Sequence, residues 1–355
     1  MKISILTFSK EDNFGANLQC YALIKTLQNM GHNVDIIDIQ LSPMRSSLIN
    51  KILQYYQHYN FLQFRKNNIN KYFTRRYKNI DELKDNPPKS DIYIVGSDQV
   101  WNPNITKRLD PLIYFFSFLP PNATRISYAA SFGFSTWENK ELIPKVSKLL
   151  NQFSAISVRE KEGVNICKDF FHAEATEVCD PTFLLPNYDE ICGEYRKEKE
   201  TNNILYFKFI RNENVENVIA NYAKTQNQKY IKLLNFHMTP NSIIKPYVKV
   251  GKWLEDIRYS KLIISDSFHC IVFCILFHKN FIAMPSIENR AGRILNLLQK
   301  LNLGEHFCSD AMDLSQKINQ LANKKINYQA TEFLIKEMRD KSMKFLLNAL
   351  HNKYH

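Results

Sequence analysis

The sequence lacks the features that define several classes of protein. Its 355 residues include 9 glycines and 13 prolines, too few for a collagen-like chain. Its longest apolar runs, such as residues 270–277, are shorter than the roughly 18 residues of a membrane-spanning helix. Hydrophobic residues make up 45% of the chain, which excludes an intrinsically disordered protein. The length is sufficient for about two globular domains.

The cysteines form neither a C-x-x-C pair nor a zinc-like cluster. Their odd number, seven, indicates reduced thiols and therefore a cytoplasmic protein. The apolar run at residues 3–8 gives way to the polar segment 9–12 without a small-residue cleavage site, so it predicts a first strand rather than a signal peptide. We expect the cytoplasm, with peripheral binding to the inner face of the membrane left open.

Positive charge exceeds negative charge in this chain. The 47 Lys and Arg against 35 Asp and Glu give a formal charge of +12, which predicts an anionic partner. Residues 48–77 interleave aromatic and basic side chains, which we interpret as a pair of amphipathic helices with an aromatic core face. A patch that binds an anionic membrane surface is the second interpretation. Nucleic acid is not expected as a partner, because no recognised nucleic-acid module accompanies the charge.

The order of predicted elements indicates an α/β fold. A strand at 3–8, a helix at 16–30 and a strand at 34–39 form a β-α-β unit, which places loop 12–15 at the carboxyl edge of the sheet, where such folds bind ligands. This loop lacks G-x-G-x-x-G and does not predict a dinucleotide site. Further strands that end in polar turns are predicted at residues 91–95, 125–130 and 155–158.

The same alternation restarts after residue 200 and predicts two α/β domains that face a cleft. No internal sequence repeat accompanies it. The predicted divisions are an N-terminal Rossmann-like domain at 1–185, a linker at 186–200, a C-terminal Rossmann-like domain at 201–325 and a basic amphipathic helix at 326–355.

The segment from Ser265 to Cys270 lies between a predicted strand and a predicted helix. The start of a helix presents free N–H groups and a positive dipole end, which together bind phosphate or carboxylate. We expect Ser265 or Asp266 to cap this helix, and His269, one turn inside it, to act as a general acid. A hydrogen-bonded core position for His269 and a capping role alone for Asp266 remain open.

Three arginines are candidates to bind an anion beside this segment. Arg159 follows a predicted strand of the first domain, and Arg290 and Arg293 begin a later helix. Guanidinium groups bind carboxylate and phosphate through two parallel hydrogen bonds. For each arginine, a surface salt bridge is an equally open interpretation.

Six segments resemble, in the same order, motifs of the polysaccharide pyruvyl transferase family. They cover most of the chain from the first strand to the helix that contains Arg293. The segments are 13–19 (Asn-Phe-Gly-Ala-Asn-Leu-Gln), 95–103 (Val-Gly-Ser-Asp-Gln-Val-Trp-Asn-Pro), 126–133 (Ile-Ser-Tyr-Ala-Ala-Ser-Phe-Gly), 157–160 (Ser-Val-Arg-Glu), 180–182 (Asp-Pro-Thr) and 265–269 (Ser-Asp-Ser-Phe-His).

The resemblance implies a GT-B-like architecture and transfer of pyruvate from phosphoenolpyruvate to a sugar diol as a cyclic ketal. The implied setting is cell-surface polysaccharide biosynthesis on a lipid-linked glycan, with a polyprenyl diphosphate-linked oligosaccharide as the acceptor. The resemblance links His269 and Arg159 to phosphoenolpyruvate. Ser267 and Cys270 stand where many members carry arginine and glycine, so Arg290 or Arg293 is expected to supply the missing charge. No resident cofactor or metal is expected, because phosphoenolpyruvate is a co-substrate.

The expected site has a catalytic, a donor-binding and an acceptor-binding part. Asp98 is expected to act as a base on the attacking hydroxyl. Turn chemistry remains open for Asn13 and Asn102, and a core position remains open for Trp101. The expected donor-binding residues are Ser265, Asp266, Ser267, Phe268, Cys270, Arg290 and Arg293. The expected acceptor-binding residues are Asn13, Phe14, Gly15, Gln19, Gln99, Trp101, Asn102 and Ser131.

Two other functions remain open at this stage. A nucleotide-sugar glycosyltransferase can share the architecture, because a fold does not fix a function. Ser267 and Cys270 also leave open a non-catalytic, carbohydrate-binding member of a polysaccharide assembly complex.

Overall fold

A computed structural model places the chain in two lobes, each built on a parallel sheet. The structure describes residues 1–40, 48–106, 110–196, 199–208, 212–234, 246–285 and 288–351. The sheet of the N-lobe has the order β3-β2-β1-β4-β5-β6. Its strands are β1 (Lys2–Leu6), β2 (Asn33–Ile39), β3 (Phe73–Tyr77), β4 (Ile92–Gly96), β5 (Arg125–Tyr128) and β6 (Phe153–Ala155).

The β-α-β unit predicted at the start of the chain is confirmed, because β1 and β2 pair in parallel. A two-stranded parallel sheet of β7 (Ser157–Val158) and β8 (Thr176–Glu177) continues from β5 through a bridge between Ala130 and Val158. The helices up to this point are α1 (Phe14–Asn29), α2 (Leu48–Asn68), α3 (Ile80–Asp85), α4 (Pro103–Thr106), α5 (Ile143–Leu150) and α6 (Lys161–Phe171).

The C-lobe has the sheet order β10-β9-β11-β12, and its strands also pair in parallel. Its strands are β9 (Asn203–Lys208), β10 (Lys229–Leu234), β11 (Leu262–Ser265) and β12 (Phe281–Ala283). The remaining helices are α7 (Asp189–Cys192), α8 (Glu213–Thr225), α9 (Val250–Tyr259), α10 (Phe268–Leu276), α11 (Glu288–Lys300), α12 (Ala311–Asn323) and α13 (Tyr328–His351).

The prediction of two helices at residues 48–77 is wrong in its second half. Only α2 is a regular α-helix there, and the chain then forms the edge strand β3. The aromatic and β-branched residues of β3 favour a strand, and Arg76 pairs in register with Asp38 of β2, with Nε 3.3 Å from Oδ2. The basic side chains of this segment therefore belong to two different elements.

One apolar core joins the two lobes. Phe14 at the start of α1 stacks on Trp253 of α9, with ring centroids 4.7 Å apart and planes 6° apart. Helix α13 also connects the lobes. Its Tyr328 hydroxyl donates to the carbonyl of Lys279 in the C-lobe, and its Ser342 accepts the N–H of Cys179 in the N-lobe at 2.8 Å. Within the described ranges, no helix is long and apolar enough to cross a membrane.

Candidate active site

The turn between β11 and α10 is held by two serines. Ser265 donates its hydroxyl to the carbonyl of Phe207 at 2.8 Å and accepts the N–H of Ser267 at 3.1 Å. Ser267 is the helix cap, and its hydroxyl accepts the N–H of Cys270 at 3.3 Å. The predicted cap at Ser265 or Asp266 is therefore wrong, because Ser265 still belongs to the strand and the helix begins two residues later than expected.

Arg159 from the N-lobe and His269 from the C-lobe meet at Asp180. Arg159 Nη1 donates to Asp180 Oδ2 at 2.9 Å, and His269 Nε2 lies 3.3 Å from the same oxygen. Nε2 is buried, and its neighbour is this carboxylate, which also interacts with the ring by charge. Asp180 therefore holds the imidazole in place.

Asp180 lies in a fully buried polar shell. Oδ2 accepts the hydroxyl of Ser97 at 3.1 Å, and Oδ1 accepts the N–H and the hydroxyl of Thr182 at 3.0 and 2.7 Å. Burial alone would raise the pKa of Asp180, but the charges of His269 and Arg159 and the N–H of Thr182 outweigh it and hold that pKa well below its ordinary value. Asp180 is therefore an anion at neutral pH.

Carboxylates surround the guanidinium of Arg159. Its Nε donates to Glu160 Oε1 at 2.9 Å, and its Nη2 lies 3.6 Å from Asp98 Oδ1. Burial alone would lower the pKa of Arg159, but Glu160, Asp180 and Asp98 raise it above the ordinary value. The ring of Phe268 lies under the guanidinium, 4.5 Å from Cζ. These neighbours fix Arg159 in place, and the three carboxylates carry more negative charge than the guanidinium carries positive charge.

The start of α1 packs directly against the imidazole. A methyl group added at Gly15 would lie 2.0 Å from His269 Nδ1 and 2.4 Å from its Cγ. No side chain can occupy that space without moving the ring. Gly15, which we expected to bind the acceptor, therefore permits the close approach of two helix starts, α1 from one lobe and α10 from the other.

A small cavity opens beside this cluster, between the two lobes and α13. Arg159 and Asp180 line it from the N-lobe, and Phe268 and Arg293 line it from the C-lobe. His269 is not among its lining residues, although its neighbours Asp180 and Phe268 are. The cavity contains charged groups of both signs, as expected of a site for a small polar molecule.

The other predicted donor residues fall into different environments. Cys270 is fully buried in the core, so its thiol faces no ligand space. Asp266 is nearly buried and interacts by charge with Lys208. Arg290 lies on α11, and its side chain is outside the described part of the chain. Of the three arginines, Arg159 and Arg293 are brought to one cavity.

Three of the predicted acceptor residues on α1 have structural contacts. Asn13 caps the helix and accepts the N–H of Ala16 at 3.1 Å, which is the turn chemistry left open above. Phe14 is in the core against Trp253. Gln19 is buried and donates to Thr7 Oγ1 at 3.0 Å. Phe14 and Gln19 are therefore buried, and the side-chain oxygen of half-buried Asn13 is used by the helix cap.

The predicted residues after β4 and β5 form a second turn cluster. Ser131 donates to Glu160 at 3.0 Å, and Asn102 donates to Gln99 at 2.9 Å. Asp98 has a φ of 62°, a left-handed conformation that is uncommon outside glycine and concentrates at functional sites. Trp101 is 1% exposed and stacks on Phe115, so it belongs to the core, the alternative left open above.

Sequence reasoning missed the residues that connect the cluster. Asp180 lies in one of the six motifs, but the sequence analysis gives it no role. Glu160, next to Arg159, was also in a motif but was given no role. The signal that points to both is the presence of an acidic residue in each of these motifs.

Solved structures with the same fold define its class. They include the UDP-GlcNAc 2-epimerase of Neisseria meningitidis bound to UDP-GlcNAc (TM-score 0.59, 12% identity, 99% of each chain covered). The UDP-GlcNAc 2-epimerase of Methanocaldococcus jannaschii gives a TM-score of 0.54 at 13% identity, over 95% of this chain and 99% of that one. The glycotransferase of kitacinnamycin gives 0.52 at 9% identity, over 99% and 98%. The chain therefore has the two-lobed GT-B fold.

The sequence itself identifies the family. Residues 13–286, well over half of the chain, match the model of the polysaccharide pyruvyl transferase family. The chain belongs to this family, and the resemblance of the six motifs is confirmed. A comparison with curated proteins found no match. The general function that follows is that of a transferase in the pyruvylation of polysaccharides.

Proposed function

We propose that the protein transfers pyruvate from phosphoenolpyruvate to a sugar diol as a cyclic ketal, in the biosynthesis of a cell-surface polysaccharide such as a capsule or exopolysaccharide. The observation that carries this proposal is the convergence of Arg159, Asp180 and His269 from two lobes, at the start of α10 and beside a cavity. Anion-binding groups and an acid are the components that this donor requires.

The proposed reaction begins with a proton. His269, as imidazolium, protonates the methylene carbon of phosphoenolpyruvate, which leaves an oxocarbenium-like central carbon. One sugar hydroxyl adds to that carbon and its proton passes to Asp98, which returns it to His269. The C–O bond to phosphate then breaks, a second hydroxyl closes the ring, and its proton leaves with the phosphate. The products are the ketal and inorganic phosphate, so the sequence consumes no oxidant or nucleotide.

The chain's own residues support these steps in distinct ways. His269 Nε2 lies 3.3 Å from Asp180 Oδ2, so Asp180 orients the imidazole for the proposed proton transfer. Acid catalysis contributes about 10² to 10⁴ in rate, and electrostatic stabilisation by the helix start and the arginines is expected to supply the larger part. Arg293, which lines the cavity, is our candidate to bind the donor from the C-lobe.

We also propose that the acceptor is a polyprenyl diphosphate-linked oligosaccharide and that the protein works at the inner face of the membrane. Helix α2 supports this proposal with an exposed stripe at helical spacing: Ile52, Tyr55, Tyr56 and Tyr59. Tyrosine is favoured at membrane interfaces, and a net charge of +12 is attracted to anionic lipid.

Vesicle flotation tests the membrane proposal. Wild-type protein should float with vesicles that contain phosphatidylglycerol, and the double variant Tyr55→Ser, Tyr56→Ser should float less. The matched control is Phe333→Ser, which changes an aromatic residue with similar exposure on α13. If wild-type protein does not float, the membrane proposal is wrong, and the transfer reaction is unaffected.

Turnover tests the reaction. Incubation with phosphoenolpyruvate and a panel of glycans should release phosphate, and the modified sugar should gain the mass of pyruvate minus water. Turnover of a nucleotide sugar instead would identify a glycosyltransferase, the alternative that the GT-B fold leaves open. If His269→Ala leaves the polysaccharide of the producing cell unchanged, a non-catalytic binding role is the better explanation.

A further inference from the structure

Lys208 ends β9 at the carboxyl edge of the C-lobe sheet, the edge at which α/β folds bind ligands. In the parallel pair of β9 and β11, Phe207 lies opposite Ser265. Lys208 therefore lies where the chain leaves β11 towards the cap of α10. Lys208 is only 3% exposed. No motif of the sequence analysis included it, and no role has been assigned to it above.

Lys208 is a nearly buried residue whose ammonium has no direct counter-ion among the described residues. Within the residues that the structure describes, it forms no hydrogen bond and no ion pair, and its near neighbour is the ring of Tyr206, 5.8 Å from Nζ. Asp266 and Glu216 act on it only by longer-range charge, and Glu216 is already paired with Lys232. Burial lowers the pKa of Lys208, and those two carboxylates only partly oppose it.

Other cations near the candidate site are already paired with carboxylates. Glu160 and Asp180 already match the charge of Arg159, and Glu177 pairs with Lys300 at the rim of the cavity. A donor with a phosphate and a carboxylate needs positive charge that is not already neutralised. A buried cation without a partner is costly for a folded protein, and such groups concentrate at functional sites.

We propose that Lys208 binds an anionic group of the donor, a phosphate or a carboxylate, between the end of β9 and the start of α10. The identity of the donor rests on the proposed function, whereas the anion-binding role of Lys208 rests on its own environment. The bound anion would supply the counter-ion that the protein does not provide, and α10 would add its N-terminal dipole.

The test compares Lys208→Met with Lys232→Met. Lys232 lies on the neighbouring strand of the same sheet but already has Glu216 as a partner, so its variant is the matched control. Binding of inorganic phosphate and, separately, of pyruvate is measured by calorimetry. We expect Lys208→Met to weaken the binding of one of them by about tenfold or more, as for a lost charge-assisted hydrogen bond. Lys208→Arg should retain most of the affinity.

The two probes distinguish which group of the donor Lys208 binds. A loss for phosphate assigns Lys208 to the phosphate of the donor, and a loss for pyruvate assigns it to the carboxylate. If both affinities are unchanged in Lys208→Met, the inference is overturned. Thermal melting confirms that the variants are folded, and Lys208→Gln replaces Lys208→Met if the latter is not.

The inference and the proposed function can fail separately. Suppose that Lys208→Met weakens the binding of phosphate or pyruvate, but phosphoenolpyruvate is not consumed with any acceptor. The proposed function is then wrong, and the anion-binding role of Lys208 is supported. If phosphoenolpyruvate is consumed and Lys208→Met has wild-type KM and kcat, the anion site fails and the proposed function stands.

Discussion

Asp180 holds together the charges of the candidate site. It is fully buried, and it connects a guanidinium of one lobe to an imidazole of the other. The variant Asp180→Asn keeps the volume but removes the carboxylate that His269 and Arg159 share, while Arg159 retains Glu160. We expect its free energy of unfolding to fall by about 3–5 kcal/mol, the range for a broken buried ion pair. Denaturant titration measures this loss.

The control for Asp180→Asn is Asp340→Asn, which removes an exposed ion pair with Lys336. Its loss should be below about 1 kcal/mol. A similar small loss for Asp180→Asn would contradict the role given to that carboxylate.

The same carboxylate predicts a pH dependence with a definite sign. The pKa of Asp180 is held below its ordinary value in the folded protein, so its stabilising effect is present above about pH 4 and is lost as the pH falls further. The difference in unfolding free energy between wild type and Asp180→Asn should therefore shrink as the pH falls below about 4. A difference that grows in acid would have the wrong sign.

Gly15 tests the contact with the catalytic candidate His269. Alanine is the better helix former by about 1 kcal/mol, but its methyl group would lie 2.0 Å from Nδ1. Gly15→Ala should therefore displace the ring and lower kcat/KM by about tenfold or more, a misplacement effect on catalysis. Gly304→Ala is the control, because its methyl group meets no atom within 4 Å. Equal activity of the two variants would contradict the proposed catalytic role of His269.

At the residue scale, the sequence identified the cationic members of the site better than the anionic ones. Arg159 and His269 belong to residue types that bind anions or transfer protons, so their chemical roles can be inferred from the sequence alone. The role of Asp180 depends on two neighbours that lie 21 and 89 positions away in the chain. The close packing of Gly15 on His269 likewise exists only after the lobes associate.

At the scale of elements, the start of α10 should bind the donor through its N–H groups and dipole. Ser267 is its cap, and an aspartate is as good a cap as serine. Ser267→Asp should therefore keep the melting temperature of the wild type but place a negative charge where the donor binds. We expect KM for phosphoenolpyruvate to rise about tenfold or more.

Ser267→Ala is the companion variant. It should lower the free energy of unfolding by about 1 kcal/mol. It should change KM for phosphoenolpyruvate much less than Ser267→Asp does, because it removes the cap without adding charge. If Ser267→Asp leaves KM unchanged, the anionic groups of the donor do not lie at this helix start.

Short elements that depend on tertiary pairing were harder to predict than helices with a clear period. Helix α1 lies close to the predicted range of 16–30, because its apolar pattern and flanking turns are local signals. Strand β3 was missed, because a strand at a sheet edge is stabilised by its partner β2. The predicted linker at 186–200 contains α7, whose helical turn packs against α9 and has little pattern of its own.

At the scale of the whole molecule, the two lobes share one core and should unfold together. Phe14 and Trp253 stack across the lobes, and α13 contacts both. Calorimetry should give a single transition for the wild type. Trp253→Ala, which should cost about 3–5 kcal/mol, should separate the transition into two. Trp137→Ala, in the core of the N-lobe alone, should destabilise without that separation. Two transitions in the wild type would contradict a shared core.

The architecture was predictable because alternating strands and helices report a parallel sheet, and because six motifs lie in the order of a family. The way in which the two lobes meet was not predictable, because no local pattern encodes the contact of α1 with α10.

Crystals soaked with phosphoenolpyruvate give the most direct test of the donor site. We predict density for the compound between Arg159 and the start of α10, with an anionic group near Lys208 and the methylene carbon within reach of His269. Binding elsewhere, or no density at a concentration that saturates turnover, would contradict the assignment of this crevice to the donor.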